Sequence, residues 1–194
     1  MKGDARKFVR SCLGRSFSFS RVPSVLSASP NPAHYVLAVL SIPSYLKAVA
    51  PNCTRYTVIT QNVDGLSTRA YREVMSRHSQ SDNTIPQHQP NFFEMHGRVL
   101  DTLCTSCGHR EHNEAISLGR TTSSPETTQV LLSDLPRCTR CTGLLRPGVV
   151  WFEEIPHHLD EISQAVENAD LCLVIGTSMT VSWSDHWHSR WMCA

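Results

Sequence analysis

Two Cys-x-x-Cys pairs, Cys104 with Cys107 and Cys138 with Cys141, constrain this chain more than any other feature. Each pair lets two sulfurs reach one point from a tight turn, and two such turns surround one ion with four thiolates. Zn2+ accepts four sulfurs as a closed tetrahedron, which holds structure and does no chemistry. A disulfide pair or buried free thiols are the other reading of these residues. The remaining cysteines, Cys12, Cys53, Cys172 and Cys193, are scattered, which fits a reducing compartment with a metal better than a secreted disulfide framework. Chemistry is then expected beside the metal. The nearest candidate is His96, in the stretch N-F-F-E-M-H-G-R-V-L-D-T-L-C-T-S-C that spans Asn91–Cys107. A single histidine before a glycine is also a common turn or packing residue, so His96 needs context.

The rest of the chain supplies it in pieces. From Pro30 the sequence P-N-P-A-H-Y-V-L-A-V-L predicts a helix with Asn31 as N-cap and Pro32 at the first helical position. Pro43 ends or kinks that helix. Tyr56–Thr60, Y-T-V-I-T, reads as a buried parallel strand, and Gln61, Asn62 and Asp64 form the polar loop at its end. Ligands of open α/β sheets bind at the carboxyl ends of strands, although Asp64 and Gly65 are also an ordinary turn pair. Ala70–Pro90 is polar, with two prolines, and reads as an extended surface loop in which His78 and His88 are solvated. His109–Leu135 reads as a polar excursion from a zinc ribbon. His109 and His112 lie in it, but four cysteines already complete the metal site. Val149–Phe152 reads as a strand, and Asp160–Ala169 as an amphipathic helix on Leu159, Ile162, Val166 and Ala169. Leu171–Ser178, L-C-L-V-I-G-T-S, reads as an apolar central strand breaking into a ligand loop. Strand, helix and strand in alternation argue for an α/β fold with an inserted zinc ribbon.

Composition narrows the partners. Net charge is +1, and no apolar run is long enough to cross a bilayer, so neither direct nucleic-acid binding nor a membrane partner is implied. The segment between the knuckles is not basic, which argues against a nucleic-acid-binding ribbon. The first fifty residues carry Lys2, Arg6, Lys7, Arg10, Arg15, Arg21 and Lys47 against Asp4. Basic, Ser-rich and acid-poor is the composition of a mitochondrial presequence; an ordinary basic helix is the other reading. Phe17–Ser20 alternates like a strand, and the segment from Ser182 holds three of the four tryptophans without periodicity. No G-x-G occurs in the chain, so the usual phosphate-binding glycine loop of a dinucleotide fold is missing.

Five segments together resemble the sirtuin family of NAD-dependent protein deacylases: T-Q-N-V-D-G-L at Thr60–Leu66, E-M-H-G at Glu94–Gly97, the two cysteine pairs, L-R-P-G-V-V-W-F ending at Phe152, and V-I-G-T-S at Val174–Ser178. Each alone is weak; all five in the family's order are specific. The likeness spans Pro30–Val181 and is nearest to mitochondrial-type deacylases, as seen in fungal members. It implies a partial Rossmann-like parallel-sheet domain over residues 1–99 and 149–182, a zinc-binding small domain over 100–148, and an atypical tail over 183–194. It implies NAD+ as cosubstrate, one structural Zn2+ on Cys104, Cys107, Cys138 and Cys141, and acylated-lysine proteins as substrates. Gln61, Asn62, Asp64, Gly176, Thr177 and Ser178 match the NAD-contacting loops, His96 the general base, and Val149, Val150, Trp151 and Phe152 the strand that pairs with substrate. In the family the acyl-lysine carbonyl oxygen attacks the ribose carbon as nicotinamide leaves, and the histidine takes a proton from a ribose hydroxyl, yielding O-acyl-ADP-ribose.

The sequence departs from the family pattern at several points. The Gly-Ala-Gly-Ile-Ser loop and the Pro-Asp-Phe-Arg segment are absent, Glu153 stands where the family has glycine, and the tryptophan-rich segment follows Val181 in place of further strands. Deacylases that favour acidic acyl groups carry Tyr-x-x-Arg before Pro30; here Ser18 and Arg21 occupy that pattern. The expectation is an altered or truncated deacylase, of deacetylase or desuccinylase type, with poor NAD binding and exposed apolar surface at Leu171–Ile175. A mitochondrial address is expected, with cytoplasm or nucleus as the alternative. The competing function is a zinc-ribbon module that docks a partner without turnover.

Overall fold

The computed structural model describes residues 22–81, 91–113, 136–151 and 154–177. Expectations placed on Phe17–Ser20, His88, Phe152, Glu153, Ser178 and the tryptophan-rich tail lie outside the described residues, as does most of the excursion between the knuckles. In chain order the elements are α1 (Val22–Ser27), α2 (Pro32–Val39), α3 (Pro43–Val49), β1 (Thr57–Thr60), α4 (Leu66–Ser81), β2 (Asn91–Glu94), β3 (Gly97–Cys104), β4 (Arg110–His112), β5 (Leu145–Val149) and α5 (Leu159–Glu167).

The helix predicted from Pro30 forms as α2. Asn31 caps it: its side chain accepts the His34 N–H at 3.2 Å, while the Asn31 N–H donates to His34 Nδ1 at 3.1 Å. Two N-terminal donors that the helix cannot satisfy are satisfied reciprocally. Pro43 does more than end this helix. It stands at the first position of α3, where its missing N–H costs nothing. Tyr56 buries its ring beside α2 and donates its hydroxyl to Leu37 O at 3.1 Å, and burial pushes its pKa up to about 12.

β1 and β2 pair in parallel, from Thr57 opposite Asn91 to Thr60 opposite Glu94, so the sequence between them is a crossover connection. That crossover contains α4, which corrects the extended-loop reading of Ala70–Pro90 over Ala70–Ser81; the rest of that segment lies outside the described residues. The segment is polar because only a narrow stripe of it is covered. Ala70 is fully buried at 0% exposure, and Leu66, Tyr71 and Val74 fall on the same side at helical spacing. Asp64 Oδ1 accepts the Leu66 N–H at 3.0 Å and starts the helix. Tyr35 on α2 donates to Glu73 on α4 at 2.7 Å and joins the two helices. His78, expected to be solvated in a loop, lies in the last part of α4.

A second sheet is antiparallel, in the order β4–β3–β5. Its β3–β5 ladder runs from Gly97 opposite Val149 to Cys104 opposite Leu145 and slips between Arg98 and Thr102. Thr102, fully buried, donates its hydroxyl to Glu111 O at 3.1 Å, so no buried hydroxyl is left unsatisfied there. The strand expected at Val149–Phe152 is corrected: it lies earlier, over Leu145–Val149. β3 begins at Gly97, so Val150 has no residue opposite it and instead donates its N–H to His96 O at 2.8 Å.

The expected central strand at Leu171–Ser178 is not formed over its described part. Leu171, Leu173 and Ile175 are 76%, 75% and 73% exposed and belong to no strand. Extended backbone needs a neighbour to take its N–H and C=O groups, and no described strand pairs with this segment. The apolar surface anticipated there is nonetheless open to water. α5 forms as expected, with Ile162 buried at 2% exposure.

Candidate active site and metal centre

The metal centre is built by two turns on the β3–β5 ribbon. All four thiol sulfurs, of Cys104, Cys107, Cys138 and Cys141, lie within 4.8 Å of one another. Cys104 Sγ is 3.5 Å from Cys141 Sγ, and Cys107 Sγ is 3.8 Å from Cys138 Sγ. A tetrahedron of Zn–S bonds of ~2.3 Å has edges of about 3.8 Å, so the cluster already has the dimensions of a four-sulfur zinc site. Backbone N–H groups point at the sulfurs: Ser106 and Cys107 at Cys104, and Arg140 at Cys138, each at 3.4 Å. Burial raises the Cys104 thiol, but the N–H groups of Cys107 and Ser106 outweigh it and bring it to about 6. Cys141 receives the Gly143 N–H, which lowers it, but the neighbouring sulfurs of Cys107 and Cys104 push it up to about 12. Thiolates this close repel, and a dication is what allows all four to ionise together. The four residues therefore fit one structural zinc. His112 binds Asp101 Oδ1 at 2.7 Å and His109 lies 3.8 Å from Glu111, so neither histidine belongs to the cluster.

His96 sits in the turn between β2 and β3, where the parallel sheet meets the ribbon. Its Nδ1 lies 3.0 Å from the backbone carbonyl of Gln61. A carbonyl only accepts, so Nδ1 carries a proton, and in the neutral ring Nε2 is the acceptor. Gln61 also accepts from Thr177 Oγ1 through its side chain, at 3.4 Å. Thus one residue at the end of β1 touches both the histidine and the Gly176–Thr177 loop. Gly176 has φ +70°, the left-handed conformation that glycine adopts freely. The loop after β1 is fastened to this turn on both sides, by Met95 N–H to Thr60 O at 3.1 Å and Val99 N–H to Val63 O at 2.8 Å. Asn62 donates its N–H to Thr60 Oγ1 at 3.1 Å and is exposed. Asp64, besides its place in the loop, caps α4, so the turn reading and the loop reading of that residue are both realised.

Two supporting groups were not singled out from the sequence. Glu94 accepts from Thr68 Oγ1 at 2.8 Å and forms an ion pair with Arg98, clasping the His96 turn from two residues before and two after and tying it to α4. Glu94 and Arg98 are four apart, a spacing read for helices but not across a turn. Arg146 binds both oxygens of Glu154, at 2.8 and 3.0 Å, and Glu154 also takes the Trp151 N–H at 3.0 Å. That clamp turns the chain away from β5, so Trp151 leaves the strand in which the sequence had placed it.

Gly97 and Gly148 cross with their backbones in contact. A Cβ added at Gly97, whose φ is +72°, would lie 2.1 Å from Gly148 O. Gly97→Ala is therefore expected to lose on the order of 2–5 kcal/mol, combining left-handed strain with overpacking. Gly65→Ala, at φ +71° with nothing within 4 Å, should lose only about 1–2 kcal/mol. Chemical denaturation of the two variants separates these outcomes; equal losses would show that the close crossing is not what requires glycine.

Comparison with known proteins agrees with this geometry. A model described as "Sir2 family" matches residues 14–183. An NAD-dependent protein deacylase of Pyrococcus abyssi is 38% identical over 160 residues, covering 81% of this chain and 50% of that protein. The NAD-dependent protein deacylase sirtuin-5A, mitochondrial, of Xenopus laevis is 33% identical over 199 residues, covering 91% of this chain and 57% of that protein. A solved Sir2 homologue mutant in complex with ADP-ribose superposes with a TM-score of 0.53 at 33% identity, covering 81% of this chain and 48% of that one. The chain spans about half the length of the curated relatives it matches. On the family match, the identity to these relatives and the shared fold, the chain belongs to the Sir2 family.

Proposed function

We propose that this protein takes part in NAD-dependent removal of acyl groups from protein lysines, producing nicotinamide and O-acyl-ADP-ribose, with His96 as general base. The observation that carries this reading is the contact of Gln61 with both His96 and Thr177. It supports the reading because a histidine bonded through Nδ1 stands beside two polar loops at the end of a parallel strand, where α/β folds bind ligands. Gln61, Asn62 and Asp64 would hold the nicotinamide ribose, with Gly176, Thr177 and Ser178 on the opposite loop. His96 Nε2 would accept a proton from a ribose hydroxyl. Val149, Val150, Trp151 and Phe152 would line the substrate backbone, by strand addition at the open edge of β5 and along the chain that follows it. The zinc would hold the ribbon that positions them and take no part in turnover. In this reading residues 1–99 and 149–182 form the NAD-binding part, and 100–148 the zinc-binding part. The name of the Xenopus relative and the basic, Ser-rich first residues support a mitochondrial address.

The 194 residues contain no G-x-G, so few backbone N–H groups are available to a pyrophosphate. NAD affinity of this chain is expected to be no tighter than roughly millimolar, about 4 kcal/mol. Activity is therefore to be sought at several millimolar NAD, as nicotinamide released with an acetyl- or succinyl-lysine peptide. Release that needs both NAD and the acyl group supports the reading. No release from a zinc-loaded, folded chain supports the non-catalytic ribbon module instead. A micromolar dissociation constant by calorimetry would overturn the expected weak binding.

A further inference from the structure

The ribbon carries a second polar site on one face of its sheet. In the antiparallel register Arg110 on β4 stands opposite Leu103 on β3, and Leu103 stands opposite Arg146 on β5. Residues directly opposite share a face, so two guanidinium-bearing side chains flank one leucine in a single row. Val150, Ile155 and His157, from the chain after β5, border this row. Between them is a cavity of about 210 Å3 whose lining includes Leu103, Arg110, Arg146, Glu154, Ile155 and His157. It is smaller than the roughly 300–1,000 Å3 of small-molecule pockets, and suits one side chain.

Among the described residues the charges in this cavity do not balance. Arg146 is satisfied by both oxygens of Glu154 and by Val149 O at 3.2 Å, and it stacks 4.8 Å over the Trp151 ring. Glu154 is thereby committed. Arg110 has no carboxylate partner among the described residues. Its neighbour Glu111, on the alternate face, lies 3.8 Å from His109 and 3.5 Å from Thr139, and Asp101 is held by His112. His157 registers the excess: burial first, then the Arg110 guanidinium, hold its imidazole below the usual range. Beside these cations Ile155 is 79% exposed and offers apolar contact. The cavity also adjoins the catalytic turn, because Val150 donates to His96 O at 2.8 Å and His157 donates its N–H to Met95 O at 2.9 Å.

The geometry points to a subsite centred on Arg110 that binds an acidic side chain of the protein substrate, a few residues from the acyl-lysine. A carboxylate on a short hydrocarbon stem matches both the unmatched guanidinium and the apolar contact of Ile155. Val150 and His157 belong both to this cavity and to the bonds that hold the His96 turn, so an acyl-lysine at His96 would bring its flanking residues near the cavity. Arg110 is then a specificity determinant, separate from the groups that do chemistry. The identity of the occupant rests on the deacylase reading, and the test keeps the two apart.

Four fluorescent peptides are compared by direct binding to the zinc-loaded chain: acyl-lysine or plain lysine, each with flanking glutamates or flanking glutamines. Binding needs no turnover. The glutamate peptides are expected to bind roughly fivefold tighter at low salt, with the difference shrinking as salt screens the exposed charge. Arg110→Gln should abolish the difference, and Arg110→Glu should reverse it in favour of the glutamine peptides. Retained zinc shows that each variant is folded. Equal binding of glutamate and glutamine peptides, or a preference that survives Arg110→Glu, overturns the subsite. Loss of dependence on the acyl group, with the glutamate preference intact, counts against the deacylase reading and leaves the subsite standing.

Discussion

Replacing Cys138 with serine is expected to remove the metal and unfold the ribbon. Cys138 is 3% exposed and shares a buried cluster with Cys104 and Leu145, so two of the four candidate ligands are also ribbon core. Structural zinc contributes about 10–16 kcal/mol of apparent binding free energy in small domains at neutral pH. That is comparable to or larger than the 5–15 kcal/mol by which whole domains are stable. Without metal, the cluster is a set of crowded thiols whose ionisation is mutually opposed. Metal analysis of the purified protein should find about one zinc per chain, and a strong chelator should release it with loss of β-structure. Cys138→Ser should hold substoichiometric zinc, while Cys172→Ser, an exposed thiol outside the cluster, should hold it fully. Full zinc in Cys138→Ser would show that the four sulfurs are not the ligands.

The second large effect is expected at His96. Its imidazole is held through a hydrogen bond to Gln61 O, and losing that bond should cost stability only about 1 kcal/mol. Its loss from a proton transfer should lower turnover by roughly 10²–10⁴-fold. His96→Ala is therefore expected to keep its zinc and its unfolding midpoint within about 1 kcal/mol of the parent, while nicotinamide release falls towards background. The fall should lie in kcat more than in the concentration dependence on peptide, since the proposed role puts His96 on the reacting atoms. Turnover retained in the variant would identify another group as the base.

Much of this could be read from the residues. The cysteine spacing specified a four-sulfur cluster because a Cys-x-x-Cys turn has little freedom in where its sulfurs go. Asn31 and Pro32 marked a helix start through backbone chemistry that acts over three residues. Y-T-V-I-T marked a strand by its β-branched side chains. Where the readings failed, the deciding partner was distant. α4 is polar in sequence and helical in structure because Ala70 and Tyr35–Glu73 tie its one covered stripe to α2, a contact between residues 38 apart. β5 sits earlier than its apolar run suggested, because its length is set by where β3 begins and by the Arg146–Glu154 clamp.

Leu171–Ile175 shows the same dependence from the other side. Its composition is that of a buried strand, yet the described residues supply no neighbour to pair with it, and its backbone stays irregular. Local chemistry, then, determined the elements that complete themselves within a few residues: the caps, the β-branched strand and the cysteine knuckles. Only the tertiary structure decided which carbonyl holds His96, which glycines must cross, and that Arg110 faces the same cavity as Arg146. Those are relations between segments separated by tens of residues, and the energy that selects them does not exist until the segments meet.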